Sequence, residues 1–247
     1  DPCLVAAWPG VGNVAVIAIN YLKEKLKAKE LGAIEPFGFF DPGGIFIKEN
    51  IIDLPKFPES KFYYWSSRGR GKDMLILISE AQPPVGTYEY VNSVLDVAEQ
   101  FGVKRVYTAA AALIEHSTDK PRVLGAATTP ELIEDLEKYD IVLGGNFYVA
   151  GLNGLLLGAA KERDLEGICL LGETAKHVAK MPNARASLAV LNILTKMLGV
   201  EIDTAELEEF AESTEREIKK LGDQMRSDFL QHFTTPIWER EEEEGKG

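Results

Sequence analysis

Cysteine is scarce in this 247-residue chain, which carries only Cys3 and Cys169. Two isolated thiols build no disulfide framework, and each reads as a buried thiol in a reducing cytosol. Histidine is nearly as rare. His116, His177 and His232 stand far apart, with no Cys or His at ligand spacing, which excludes a structural zinc site. Long apolar runs are missing too. No stretch approaches the ~20 residues a spanning helix requires, and the opening Asp1-Pro2-Cys3 lacks the basic-then-apolar pattern of a signal peptide. Positive charge is outnumbered: 27 Lys and Arg face 39 Asp and Glu, a formal net charge of −12. That balance argues against a nucleic-acid binder and against docking on an anionic membrane.

The acidity is uneven. Residues 201–247 hold 15 acids and 6 bases, which leaves residues 1–200 at only −3. The expected organisation follows the same boundary. Residues 1–200 form the main domain, 201–233 a helical extension, and 234–247 an acidic tail with nothing to bury. With 45% hydrophobic residues the chain has material for a full core.

Strand and helix patterns alternate along the main domain. Leu4–Trp8 reads as a buried strand, Pro9–Asn13 as a turn, and Val14–Lys29 as a helix. Phe37–Phe40, Ile45–Ile47, Ile51–Ile52 and Phe62–Trp65 are short β-like runs split by Pro and Gly, which predicts an inserted antiparallel meander. Alternation then resumes. Met74–Ile78, Val106–Ala110, Val123–Thr128 and Gly167–Leu171 read as strands, with Ile141–Leu143 as a short extended piece. Thr87–Phe101, Pro130–Lys138, Gly151–Arg163 and Ala184–Leu198 read as helices. In the extension, Leu207, Ala211, Thr214, Ile218, Leu221, Met225 and Phe229 recur at steps of four and three. That narrow seam suits either a helix lying on the domain or one that pairs with a partner.

Chemistry-bearing motifs are few. Gly10-Val-Gly-Asn-Val-Ala15 matches the loose dinucleotide pattern, where glycines let backbone amides approach a phosphate at a helix start. Its context fails: no second parallel strand ending in an acid follows at the right distance, since Glu35 leads into Pro36 and the meander. A tight turn packed under a neighbouring loop is the favoured reading of Gly10, Gly12 and Asn13. There is no P-loop and no Gly-x-Ser-x-Gly elbow. Glu115-His116 is the only acid–base neighbour pair worth naming, and residues adjacent on an extended chain point to opposite sides. In Gly151–Gly158, Asn153 can cap a helix while Gly154 allows another backbone close. In Gly167–Thr174 the strand is expected to stop at Gly172, so that Glu173 and Thr174 emerge at its carboxyl end. Ligands of open α/β sheets bind at that end.

Five stretches together resemble the proteasome assembly chaperone 2 family. They are Trp8–Val14, Leu75–Pro83, Pro121–Thr128, Gly154–Gly158, and Gly167–Thr174 followed by Asn183–Ala186. The resemblance spans about Leu4 to Leu221. It implies a three-layer α/β/α sandwich of the phosphorylase or hydrolase-like type with a C-terminal helical extension. It implies a non-enzymatic scaffold with no cofactor and no metal, cytoplasmic, working as a homo-oligomer with a trimer favoured. Its partners would be proteins, proteasome α subunits among them, and neither nucleic acid nor membrane. Family members that touch the proteasome can end in a hydrophobic-Tyr-any tail. This chain ends Gly245-Lys-Gly247, so tail insertion is not expected. The competing expectation is a nucleoside- or nucleotide-related binder or enzyme using Gly10–Asn13, Glu173 and Thr174. Leu207, Ile218, Leu221, Met225 and Phe229 are the expected partner-facing helix residues.

Overall fold

The apolar run behind Pro2 becomes β1 (Cys3–Ala7), buried at every position in the computed structural model, which describes residues 2–69, 71–116, 118, 120–217 and 220. A turn at Val11–Asn13 leads into α1 (Val14–Leu26). This helix ends before the predicted Lys29, because Lys27 turns left-handed at φ 53° and its N–H closes the last turn on Lys23 and Glu24. The chain emerges as β2 (Lys29–Ala33), an exposed strand absent from the predicted elements.

The expected meander divides. Phe37–Phe40 is a turn with Phe40 buried. β3 (Ile47–Lys48) and β4 (Ile51–Ile52) form a two-stranded ribbon of their own. The last run becomes β5 (Ser60–Trp65), which joins the main sheet between β2 and β6 (Met74–Ser79). Four further elements follow in order: α2 (Thr87–Gln100), β7 (Arg105–Ile114), β8 (Val123–Ala127) and α3 (Pro130–Leu136). The chain then forms α4 (Leu152–Glu162), β9 (Glu166–Ala175) and α5 (Ala184–Leu198).

The sheet runs β2-β5-β6-β1-β7-β9-β8. Its centre, β6-β1-β7-β9, is parallel, and antiparallel pairs close both sides. Alternate residues of each central strand face opposite layers. Val5, Ile76, Tyr107 and Ile168 face a core with α1, α3 and α5. Leu4, Leu75 and Val106 face a second core with α2 and α4. The result is the expected three-layer sandwich. Cys3 and Cys169 are both buried, and burial pushes their thiols up to about 12 and about 11.

A last helix covers residues 205–217. Leu207 and Ala211 are buried in the α1/α5 core, Tyr21 donates to the Asp203 carbonyl at 2.9 Å, and Arg185 pairs with Glu215 at 2.7 Å. This start of the extension lies on the sandwich. Leu207 is therefore spent inside the protein's own core and presents no partner surface. Ile218, Leu221, Met225 and Phe229, with the acidic tail, lie outside the described residues. No helix among the described residues is long and apolar enough to cross a membrane.

Candidate functional site

Strand order sets the place. From β1 the chain returns to β6 on one side, and from β6 it crosses to β7 on the other, so β1 is the switch point of the parallel core. Loops diverge beyond the carboxyl ends of such strands and leave a crevice. Here the crevice is a cleft of about 380 Å³, lined by Trp8, Gly10, Val11, Gln82, Leu113 and Phe147 with their neighbours. Tyr148 stands at its mouth and is 89% exposed. No Asp, Glu, His, Lys, Arg or Cys lines it among the described residues. It offers apolar contact and no acid–base pair.

The polar groups around the cleft are spent on building it. Asn153 is buried at the first turn of α4, and its carboxamide pairs with the Trp8 backbone in both directions. Gln82 follows the β6 strand and bridges two loops. Its Nε2 donates to the Pro9 carbonyl at 2.6 Å and its Oε1 accepts from Leu152 N–H at 3.1 Å. Behind the wall, Trp8 Nε1 donates to Tyr90 Oη, and Tyr90 Oη donates to Ser60 Oγ at 2.6 Å. Ser60 in turn meets Ser79 Oγ at 2.8 Å. This buried chain fixes the Trp8 indole in the core behind the cleft.

The glycine turn is equally committed. Gly12 N–H donates to the Ala179 carbonyl at 2.9 Å, and its own carbonyl accepts from Asn183 N–H at 2.8 Å. Asn13 N–H donates to the Gly10 carbonyl at 2.9 Å. Gly12 sits at φ 61°, and a Cβ there would stand 3.0 Å from Asn183 Cβ. The amides a phosphate would need at Gly12 and Asn13 already have partners, as the packed-turn reading expects.

Asn183 ties three elements together. Its Oδ1 caps α5 by accepting from Ala186 N–H at 3.0 Å, and its Nδ2 donates to Thr174 Oγ1 at 3.1 Å. Thr174 does not emerge beyond a strand end at Gly172. β9 continues to Ala175 because β7 reaches Ile114 and supplies partners from Ala111 onward. Gly172 lets α5 close in, since a Cβ there would meet the Ala186 carbonyl at 2.8 Å. Glu173 is likewise inside the strand. Its carboxylate is almost fully buried and accepts from Arg122 N–H at 3.0 Å and from Arg122 Nε at 3.0 Å. The Arg122 guanidinium holds that carboxyl below the usual range. Gly154 is a packing glycine: a Cβ would lie 2.3 Å from the Val149 carbonyl.

Of the seven loop residues singled out in the sequence, Gly10 and Asn153 meet at the cleft. Gly12 and Thr174 both contact Asn183, Asn13 closes the turn onto Gly10, and Glu173 and Gly154 serve neighbouring contacts. Sequence reasoning gave no role to Gln82, Asn183 or Trp8. For Gln82 and Asn183 the available signal is a polar side chain just past an apolar strand or just before an apolar helix.

The class this geometry defines is a doubly wound α/β/α sandwich whose switch-point cleft is uncharged and braced by its own polar groups. The chain belongs to the PAC2 family, whose model matches residues 4–222. It is similar to the crystal structure of Pyrococcus furiosus PbaB, described as an archaeal proteasome activator. The TM-score is 0.78 at 30% identity, covering 90% of this chain and 93% of that one. It is similar to P. furiosus PbaA, an archaeal homologue of proteasome-assembly chaperone. There the TM-score is 0.72 at 25% identity, covering 100% of this chain and 95% of that one. An uncharacterised protein of Methanocaldococcus jannaschii is 28% identical over 223 residues, covering 88% of this chain and 82% of its relative.

Proposed function

We propose that this protein is a non-enzymatic, cytoplasmic scaffold that assists proteasome assembly or activation as a homo-oligomer, a trimer being favoured, and that binds proteasome α subunits. The observation that carries the reading is the cleft itself. Among the described residues it is lined without charge and rimmed by exposed Leu113, Phe147 and Tyr148, and the Gly12 and Asn13 amides of the adjoining turn are already paired. Such a surface suits another protein's apolar side chains better than a phosphate. Membership of the PAC2 family and the likeness to a proteasome activator support the same direction. The test is to mix the purified protein with proteasome α subunits and size the products. A co-migrating complex or a raised yield of α rings is expected. No complex together with an unchanged ring yield would overturn it.

A further inference from the structure

A groove of about 740 Å³ opens at the β2 edge of the sheet, between the end of α1, β2 and the turn from β5 to β6. Leu26, Leu31 and Trp65 give it apolar walls, and Lys27, Lys29 and Arg68 put three cations on the same lining. No Asp or Glu lines it among the described residues. All three cations are exposed, and none has an ion pair among the described residues. The turn that carries Arg68 is held from behind. Asp73 accepts from Ser67 N–H at 2.7 Å and from Tyr64 Oη at 2.9 Å, and Lys72 N–H donates to the Leu198 carbonyl at 3.2 Å. A lysine on an edge strand deters sheet pairing by itself. Lys27 and Arg68, however, lie off the strand, one at the α1 cap and one on the turn.

The same chain supplies a segment of matching chemistry. Ile237-Trp238 stand directly before Glu239-Arg-Glu-Glu-Glu-Glu244, an apolar pair followed by five acids and one base. The groove is likewise part apolar and part cationic. It also lies within reach. The helix of residues 205–217 starts beside the groove's end of α1, where Lys25 pairs with Glu206 at 3.0 Å. It runs to the first turn of α5, where Arg185 pairs with Glu215. That helix carries the chain about 20 Å from the groove. Ile237 follows Lys220 by 17 residues, and such a length spans up to about 55 Å. A segment on so short a tether meets its site at an effective concentration on the order of millimolar. We propose that Ile237–Glu244 docks in this groove on its own chain, with the Trp238 indole against Leu26, Leu31 and Trp65 and the glutamates against Lys27, Lys29 and Arg68. Each exposed ion pair contributes little, so the contact holds by number and by the apolar pair, and it loosens as salt rises. Docked, the segment closes the groove to other acidic peptides.

Cys3 and Cys169 are buried, so nitroxide labels at Glu24→Cys, on the exposed last turn of α1, and at Gly245→Cys, past the glutamates, attach there alone. Electron–electron distances are measured on the full chain, with labelled protein diluted into excess unlabelled protein so that only contacts within one chain are read. A short, narrow distance is expected at low salt, and its loss in 1 M NaCl, where the Debye length falls to about 3 Å. Lys29→Glu/Arg68→Glu should abolish it, and adding Glu241→Lys/Glu243→Lys to that variant should restore it. Trp238→Ala should diminish the short population with the charges intact. If the groove reversal unfolds the chain by circular dichroism, changing Glu241–Glu244 to Gln carries the test instead, since it alters no described contact. A short distance that survives the groove reversal, a wild type whose distances match those of the Gln variant, or a folded double reversal that fails to restore the contact would each overturn the proposal. A short distance seen only without dilution would place the segment on a second copy and overturn it too. Binding of α subunits does not enter the measurement, so the functional reading stands or falls separately.

Discussion

Asn153 and Trp8, 145 residues apart, hold each other as two strands would. Asn153 Oδ1 accepts from Trp8 N–H and Asn153 Nδ2 donates to the Trp8 carbonyl, each at 3.2 Å in a buried setting. The side chain of an α4 residue thus extends the ladder at the carboxyl end of β1, where the sheet itself offers no partner.

Asn153→Ala removes both bonds and leaves two buried backbone groups unpaired. A loss of about 2 kcal/mol or more is expected, since each orphaned group costs about 1–3 kcal/mol. Urea denaturation measures it, with an unchanged m-value showing that the folded state persists.

Two glycine substitutions should move stability in opposite directions. Gly12→Ala forces φ 61° on a residue with a Cβ and presses it against Asn183. The expected cost is about 1–2 kcal/mol from the left-handed backbone alone. Gly158 lies exposed within α4 with nothing within 4 Å of an added Cβ. Gly158→Ala should stabilise by about 0.8 kcal/mol through helix propensity. Paired thermal melts distinguish them directly.

The Glu173–Arg122 pair gives a pH signature. Arg122 lowers the folded-state pKa of Glu173 below its unfolded value. The stabilisation is therefore present above the ordinary glutamate range near pH 4.3 and is lost as pH falls through the lower folded value. Glu173→Gln should cost about 1 kcal/mol at pH 7, a modest figure because the Arg122 side chain is largely exposed. The gap between variant and wild type should narrow towards pH 3. A gap that widens on acidification would contradict the assignment.

A screen with phosphate, nucleosides and nucleotides should leave the melting temperature unmoved, because Gly12 and Asn13 have no amide to give. A ligand at 100 times its Kd adds about 2.7 kcal/mol, which a thermal shift assay resolves easily. A clear upward shift with any phosphate-bearing compound would restore the nucleotide reading.

The parallel core was legible because its strands are short apolar runs punctuated by Gly and Pro, and Ala184–Leu198 was read at its observed ends. β2 was not legible: Lys29–Ala33 is exposed along its length, so no burial pattern marks it as a strand. The continuation of β9 past Gly172 was also hidden. Glycine there serves close approach of α5, a tertiary fact that looks in sequence like a stop. The site followed the same division. Gly10 and Asn153 stood in recognisable strand–turn–helix contexts, whereas Gln82 and Asn183 act through backbones more than 60 residues away or through a loop they close. Leu207 carried the helical seam correctly, but periodicity alone does not say whether a seam faces its own domain.

The segment that carries the β3–β4 ribbon leaves the sheet between two strands that are already neighbours. Ala33 of β2 and Lys61 of β5 face each other in the ladder, so the excursion begins and ends at nearly one point. Loop length there is nearly free, because doubling a loop costs only about 0.6 kcal/mol of closure entropy. The segment is thus a cassette. Its length and sequence can change without disturbing the scaffold. Divergence among relatives of one fold would then concentrate in this cassette while the sandwich drifts slowly beneath it.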